Sequence, residues 1–324
     1  MRLVLGSRGP PYTEYGRLEF MLDTPVRLAV RPSVAAVALT LLVGCSAADS
    51  GSSAPATADD AGAPTHRAEF DRLEEDFDTR LGVYALDTAT GEEVTYSSDE
   101  RFPYASTFKP LACGAVLADR TVEGMDEIVT FDEEDLVPHS PITEEHLDTG
   151  ISLRESCDAA IRYSDNTAAN LLFQELGGPE GLQEALRAIG DRTTQVDRTE
   201  VGLNEAVPGD TQDTSAPEQL ATDLREYVFG DALEPEKQAL LEEMLRQNTT
   251  GDDTIRAGVP GDWEVGDKTG AGKYGTRNSL GILWPPHEEP IMIAVMSTRE
   301  VEGSEYDDAL IAEATEVVVE AMAQ

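Results

Sequence analysis

The sequence is poor in basic residues, and above all in lysine. Its 324 residues carry 63 acidic and 24 basic side chains, a formal net charge of −39. Lysine occurs only four times, as Lys109, Lys237, Lys268 and Lys273. Because nucleic-acid phosphates are bound by clustered lysine and arginine, this balance argues against a nucleic-acid partner. We interpret the acidity as a strongly solvated surface, which by itself indicates no function.

Cysteine and histidine are also scarce. None of the cysteines forms a Cys-x-x-Cys pair, and the histidines do not show the spacing of zinc ligands. The sequence therefore predicts neither a metal site nor a cofactor. The complete set is Cys45, Cys113, Cys157, His66, His139, His146 and His287.

Near its start the sequence has one apolar run, at residues 34–43, and this run is too short for a permanent transmembrane helix. Arg27 and Arg31 precede it, and Gly44 follows it. A basic stretch, a short apolar stretch and a small residue together are typical of a secretory signal, which we predict over residues 1–44. Acidic residues interrupt the preceding stretch, residues 1–20, which makes it unlike a signal peptide. We therefore expect translation to start at Met21.

The signal ends at Gly44-Cys45, which resembles a bacterial lipoprotein box. That resemblance implies an exported protein, lipidated at Cys45 and anchored on the outer face of the cell membrane. The alternative is ordinary signal cleavage and secretion, with Cys45 lost or incidental. Residues 45–65 are rich in Ser, Ala, Asp, Thr and Pro and predict a disordered tether, so the folded domain is expected at 66–324.

The pattern of apolar residues in this domain predicts strands at both ends and helices between them. Such an order favours an α+β fold, in which one sheet is built from the N- and C-terminal segments and a helical lobe is inserted. We place the α/β lobe at about 66–103 and 250–324, and the helical lobe at about 104–249. The predicted helices are 66–79, 106 to about 117, 153–162, 167–176, 180–189, 217–229, 235–247 and 305–322, and the predicted strands are 81–86, 94–96, 263–265, 279–284 and 291–297.

Ser106 and Lys109 lie three residues apart where a helical pattern begins. A serine hydroxyl is a weak nucleophile that needs an adjacent base and a polarising field. A helix N-terminus supplies the field, and helical spacing brings Lys109 back beside Ser106, where burial would lower the pKa of its amine. The alternative is an N-cap serine with a surface lysine.

Two further tripeptides combine with this pair. Ser164-Asp165-Asn166 stands between two predicted helices, and alone it predicts a helix N-cap. Lys268-Thr269-Gly270 follows a predicted strand, and alone it predicts a turn. Together with Ser106-x-x-Lys109, they match the signature of class A β-lactamases and penicillin-binding proteins. From about residue 66 to its end, the sequence resembles this superfamily.

The segment that begins at Glu200 indicates which class of that superfamily the sequence resembles. Glu200-Val201-Gly202-Leu203-Asn204 resembles the Glu-x-x-Leu-Asn element of class A β-lactamases, in which the glutamate and asparagine deliver water to the acyl-enzyme. The residue after the glutamate is often proline in the family, whereas here it is Val201. The resemblance also implies an ion pair between Arg198 and Asp213 across the neck of this loop.

The resemblance implies a role for each of the remaining site residues. Lys268, Thr269 and Arg277 would hold the substrate carboxylate, and Asn166 its side-chain amide, with Gly270 allowing close approach. The backbone N–H groups of Ser106 and Ala271 would form an oxyanion hole. His139 occupies a place at the pocket rim where the family often has an aromatic ring.

Cys113 and Cys157 lie seven residues from Ser106 and Ser164, respectively. At that spacing each sulfur lies on about the same helical face as its serine. The pair resembles a disulfide of some class A enzymes, and two buried free thiols are the alternative.

The sequence thus predicts a monomeric serine β-lactamase that acts on a small β-lactam substrate. Ser106 would be the nucleophile, Ser164 would relay a proton to the leaving nitrogen, and either Lys109 or Glu200 would be the acylation base. The rival functions are a D,D-peptidase and a non-catalytic β-lactam sensor that stays acylated.

Overall fold

The computed structural model describes residues 63–323. The predicted signal, the alternative start at Met21, the lipidation site Cys45 and almost all of the predicted tether lie outside these residues. Helix α1 begins at Ala63, three residues before the predicted start of the domain. No helix within residues 63–323 is long and apolar enough to cross a membrane.

Both ends of the described chain contribute to one five-stranded antiparallel sheet, as predicted. Over residues 63–323 the strands are β1 Arg80–Asp87, β2 Glu93–Tyr96, β3 Phe102–Pro103, β4 Ile128–Val129, β5 Ile151–Ser152, β6 Thr214–Ser215, β7 Glu264–Gly272, β8 Thr276–Trp284 and β9 Ile291–Thr298. Strand β1 pairs with β2 in an N-terminal hairpin and with β9 on its other side, and the order of strands in the sheet is β2-β1-β9-β8-β7.

Helices cover both faces of this sheet. Over the same residues the helices are α1 Ala63–Phe77, α2 Lys109–Asp119, α3 Leu153–Arg162, α4 Asn166–Leu176, α5 Pro179–Ala188, α6 Pro217–Phe229, α7 Pro235–Arg246 and α8 Asp308–Met322. Helices α1 and α8, from the two ends of the domain, pack on one face, and the helical lobe packs on the other.

Strand β9 shows why the sheet lies between two layers of helices. All eight of its residues are buried, as expected for a central strand that is covered on both faces. Successive side chains of a strand point to opposite faces. Accordingly Met292, Ala294 and Met296 belong to the core shared with the helical lobe, whereas Ile293 and Val295 pack with α1 and α8.

The structure differs from the sequence prediction in the length of two strands. We predicted β7 as 263–265 and β8 as 279–284, with Lys268-Thr269-Gly270 after the first strand. In the structure β7 continues to Gly272 and β8 begins at Thr276, so the tripeptide lies within a strand. Small and polar residues at 266–272 hide the strand from a pattern search, yet their pairing with buried β8 supplies the stabilising hydrogen bonds.

Cys113 on α2 and Cys157 on α3 form a disulfide, with their Cα atoms 5.4 Å apart. Both residues are fully buried. The bond joins the two helices that lead to Ser106 and Ser164, which confirms the predicted pairing and removes the alternative of two free thiols.

Candidate active site

Ser106 lies where the helical lobe meets the sheet. It belongs to a 3-10 turn, Ala105–Phe108, that leads directly into α2, rather than to the first turn of an α-helix. The turn is entered through Ala105, whose φ of 47° is rare for a residue with a side chain. The Ser106 hydroxyl does not cap a helix; its Oγ lies 3.3 Å from Glu200 Oε1. The serine hydroxyl therefore faces a carboxylate and does not cap a helix.

Lys109 is the first residue of α2 and is completely buried. Its Nζ lies 3.2 Å from Glu200 Oε1, the oxygen that Ser106 also contacts. The amine donates to Asn166 Oδ1 at 2.7 Å and to the Ser164 carbonyl at 2.8 Å. Burial lowers the pKa of Lys109, and the charge of Glu200 opposes that shift. The predicted proximity of serine, lysine and carboxylate is thus present in the structure.

A second buried amine, Lys268 on β7, faces the first across Ser164. Lys268 Nζ donates to Ser164 Oγ at 3.0 Å, while Lys109 Nζ lies 3.4 Å from the same hydroxyl. Burial first, and then the charge of Lys109, hold the pKa of Lys268 well below its ordinary value. The hydroxyl of Ser164 therefore lies between two amines, and it can exchange a proton with either of them.

Glu200 is fixed at its backbone and at its side chain. The side-chain amide of Asn170 on α4 binds both backbone groups of Glu200: it accepts from the N–H and donates to the carbonyl, each at 2.9 Å. Asn204 Nδ2 donates to Glu200 Oε2 at 2.6 Å. Within residues 63–323 nothing donates to Asn204 Oδ1, although this atom is buried. A buried acceptor beside a carboxylate is suited to hold a water molecule.

Gly270 lets β7 pass directly beside the nucleophile. A Cβ atom at this position would lie 3.0 Å from the Tyr104 carbonyl oxygen and 3.2 Å from Ser106 N. Any side chain would therefore push the strand away from the 3-10 turn. Glycine here keeps Thr269 and Ala271 close to Ser106.

Comparison with known proteins agrees with this geometry. The model of the β-lactamase enzyme family matches residues 65–322. A β-lactamase of Amycolatopsis lactamdurans is 54% identical over 259 residues, which are 80% of this chain and 86% of the relative. The chain belongs to the β-lactamase family.

Solved structures place it with the class A β-lactamases. The class A β-lactamase from Clostridium kluyveri superposes with a TM-score of 0.80 at 46% identity, over 81% of this chain and all of the other. A halotolerant bacterial β-lactamase has a TM-score of 0.78 at 56% identity, over 79% of this chain and 99% of the other. These likenesses confirm the predicted fold class and family.

Two other predicted residues lie at the edges of this β-lactamase site. Arg277 on β8 is mostly buried; its Nε donates to Asp308, and its guanidinium lies 4.8 Å from the ring centre of Tyr306. It pairs across the sheet with Ala271. His139 is exposed on the loop before α3, where its ring nitrogen Nε2 lies 3.2 Å from the Tyr163 carbonyl.

The predicted ion pair at the neck of the Glu200 loop is present. Asp213 is completely buried and pairs with Arg198. The same carboxylate accepts from the backbone N–H groups of Asp197 and Arg198 and from the hydroxyl of Tyr104. The neck of the loop is therefore hydrogen-bonded to Tyr104, which lies two residues before Ser106.

Sequence reasoning gave no indication of two residues that support the site, Asn170 and Thr250, or of a second role of Asp165. Asn170 holds Glu200, yet its only sequence signal is its place one helical turn after Asn166. Asp165 caps α4, as a lone Ser-Asp-Asn would predict, and it also binds the backbone of Ile142 and Thr143, which fixes the loop that carries His139. Thr250 contacts Thr269, and no motif contains it.

Proposed function

We propose that this protein hydrolyses β-lactam antibiotics through an acyl-enzyme on Ser106, and so confers resistance to them. The observation that carries this proposal is the convergence of Ser106 Oγ and Lys109 Nζ on one oxygen of Glu200, while Asn204 binds the other. A nucleophile with two adjacent bases, one of them beside a buried acceptor, can be acylated and then deacylated.

Acylation begins with the attack of Ser106 Oγ on the lactam carbonyl carbon. The serine proton goes to Glu200 or to Lys109; the contact at 3.3 Å supports Glu200 as the direct acceptor, and the lowered pKa of Lys109 supports the amine as its partner. The backbone N–H groups of Ser106 and Ala271 stabilise the negative charge that forms on the carbonyl oxygen.

Collapse of this intermediate breaks the C–N bond of the lactam ring. Ser164 gives its proton to the departing nitrogen and regains one from Lys109 or Lys268, whose amines lie 3.4 and 3.0 Å from its hydroxyl. The proton that left Ser106 passes from Glu200 to the amines through Lys109, 3.2 Å away, so Glu200 is again a carboxylate before deacylation. The product of this half-reaction is an ester of Ser106 that carries a free amine.

Deacylation then requires a water molecule and a base. Water bound between Glu200 and Asn204 Oδ1 transfers a proton to Glu200 and attacks the ester carbonyl. Breaking the ester bond returns the proton to Ser106 Oγ, and the ring-opened β-amino acid leaves.

Cationic and polar groups beside Ser106 would orient the substrate. Lys268, Thr269 and Arg277 hold its carboxylate, and Asn166 holds its side-chain amide. Lys109, Lys268 and Arg277 together would form a small positive pocket on a strongly negative protein. His139 lies at the rim and contacts the substrate side chain.

Turnover of a chromogenic cephalosporin tests this function. The expected result is sustained hydrolysis by the wild-type protein and none by Ser106→Ala. Release of one equivalent of product followed by arrest would instead indicate an acyl-trapped sensor. Inactivity toward the cephalosporin with release of D-alanine from a peptide substrate would indicate a D,D-peptidase.

We further propose that the protein is exported, acts as a monomer and is anchored through lipid on Cys45. The groups that carry the proposed chemistry all lie within this chain, so the reaction needs no residue from a second copy. In a bacterial host, the Cys45→Ala variant should move from the membrane fraction to the medium. An unchanged distribution would indicate simple secretion or retention without lipid.

A further inference from the structure

Thr250 contacts the strand that is proposed to bind substrate. It lies in the loop after α7, and its Oγ1 is 2.6 Å from Oγ1 of Thr269. Its hydroxyl also lies 2.9 Å from Asn248 Oδ1, which accepts from the Thr250 backbone N–H at 3.1 Å as well. Thr250 Oγ1 therefore has two neighbouring oxygens but only one proton to donate.

The position of that proton decides where the Thr269 hydroxyl points. If Thr250 donates to Asn248, the short contact between the two threonines uses the proton of Thr269, which is then not available to an anion in the cleft. If Thr250 donates to Thr269, the Thr269 proton is free to point at a bound anion. Asn248 Oδ1 loses little by this change, because the backbone N–H of Thr250 still donates to it.

The loop holds Thr250 firmly in this place. The neighbouring Thr249 donates to the carbonyl of Arg162 at the end of α3 through both its backbone N–H, at 3.0 Å, and its hydroxyl, at 2.7 Å. Asn248 is 5% exposed and its N–H bonds to Leu245 within the end of α7. Thr250 is thus fixed between the helical lobe and β7.

We propose that Thr250 is a positioning residue that turns the Thr269 hydroxyl toward the substrate carboxylate. A bound carboxylate favours the arrangement in which Thr250 donates to Thr269 and Thr269 donates to the anion, because hydrogen bonds to a charged acceptor are the stronger ones. Each bond in such a chain polarises the next. The inference rests on the proposed β-lactam hydrolysis.

The test compares a chromogenic cephalosporin with its carboxylate methyl ester. Thr250→Val should raise KM for the free acid about five-fold, the worth of one net hydrogen bond, and leave kcat within about two-fold. KM for the ester should not change. Thr250→Ser keeps the hydroxyl and should behave as the wild type, and Thr250→Ala is a second hydroxyl-free variant should valine disturb folding.

Two controls separate positioning from mere packing. Thr249→Val makes the same substitution one residue earlier, where the hydroxyl donates to the Arg162 carbonyl of the helical lobe, and should leave both KM values unchanged. In a Thr269→Val background, Thr250→Val should add nothing, because it acts through the Thr269 hydroxyl.

The proposal is overturned if the hydroxyl-free variants raise both KM values equally or raise neither. Additive effects of Thr250→Val and Thr269→Val would overturn it as well. Failure of the wild-type protein to hydrolyse the cephalosporin would refute the proposed function instead, so the two failures are distinguishable.

Discussion

Removal of Arg198 should destabilise this protein more than loss of an ordinary surface ion pair. Arg198 is 27% exposed, but its partner Asp213 is completely buried. Breaking a buried pair by removing one member costs about 3–5 kcal/mol, because the remaining charge stays buried without its partner. Three uncharged donors still contact Asp213, so we expect Arg198→Ala to lower the free energy of unfolding by about 3 kcal/mol.

A double-variant cycle separates the charge from the packing. Asp213→Asn keeps the size of the side chain and leaves Arg198 near solvent, so we expect it to cost about 1–2 kcal/mol. Arg198→Ala combined with Asp213→Asn leaves no buried charge and should cost about 2 kcal/mol, well below the sum of the two single changes.

Urea unfolding followed by circular dichroism measures these differences in unfolding free energy. The variants can be compared directly where the slope of unfolding free energy against urea concentration is the same as in the wild type. Lys273→Ala is the matched control: it breaks a salt bridge between Lys273 and Glu205 in which both side chains are nearly half exposed, and it should cost less than about 1 kcal/mol. The reasoning is refuted if Arg198→Ala costs no more than this control, or if the cycle is additive.

Two further predictions concern stability. Burial and the nearby Asp191 raise the pKa of Asp223 to about 8, so the native state keeps a proton that the unfolded chain releases, and stability should fall as pH rises from about 4 to 8. Asp223→Asn should remove about 1.4 kcal/mol per pH unit from that slope, measured by urea unfolding at several pH values; equal slopes in variant and wild type would contradict it. Replacing Cys113 and Cys157 by alanine should lower the unfolding free energy by up to about 4 kcal/mol, since their bond closes a 44-residue segment, and an unchanged urea midpoint would show that the loop constraint does not matter.

Sequence patterns predicted most of the helices, and the reason is physical. The helix predicted at 153–162 is α3 to the residue, because its N-cap Ser152 and Glu155 form a capping box and its apolar residues lie on one face. Strand β9 was recognised for a similar reason, as a continuous apolar run. By contrast, β7 carries its function on small and polar residues, so its true length could not be read from an apolar pattern.

Site residues that belong to a sequence motif could be predicted. Site residues that only the fold brings to the cluster could not. Ser106 is marked by Ser-x-x-Lys, and Ser164 and Lys268 by tripeptides, and the structure places all three within one cluster. Asn170 and Thr250 reach it only because α4 and the loop after α7 pass beside Glu200 and Thr269. Contacts of this kind depend on long-range packing, for which a single sequence carries no local signal.

The central claim, a Ser106 acyl-enzyme released by Glu200, is tested most directly by intact-protein mass spectrometry of Glu200→Ala after a short exposure to penicillin. We predict an adduct of one penicillin per protein that persists for minutes to hours, on Ser106, while the wild-type protein shows only its free mass. Rapid return of the Glu200→Ala variant to its free mass would contradict the role given to Glu200, and an adduct that also forms on Ser106→Ala would contradict the nucleophile.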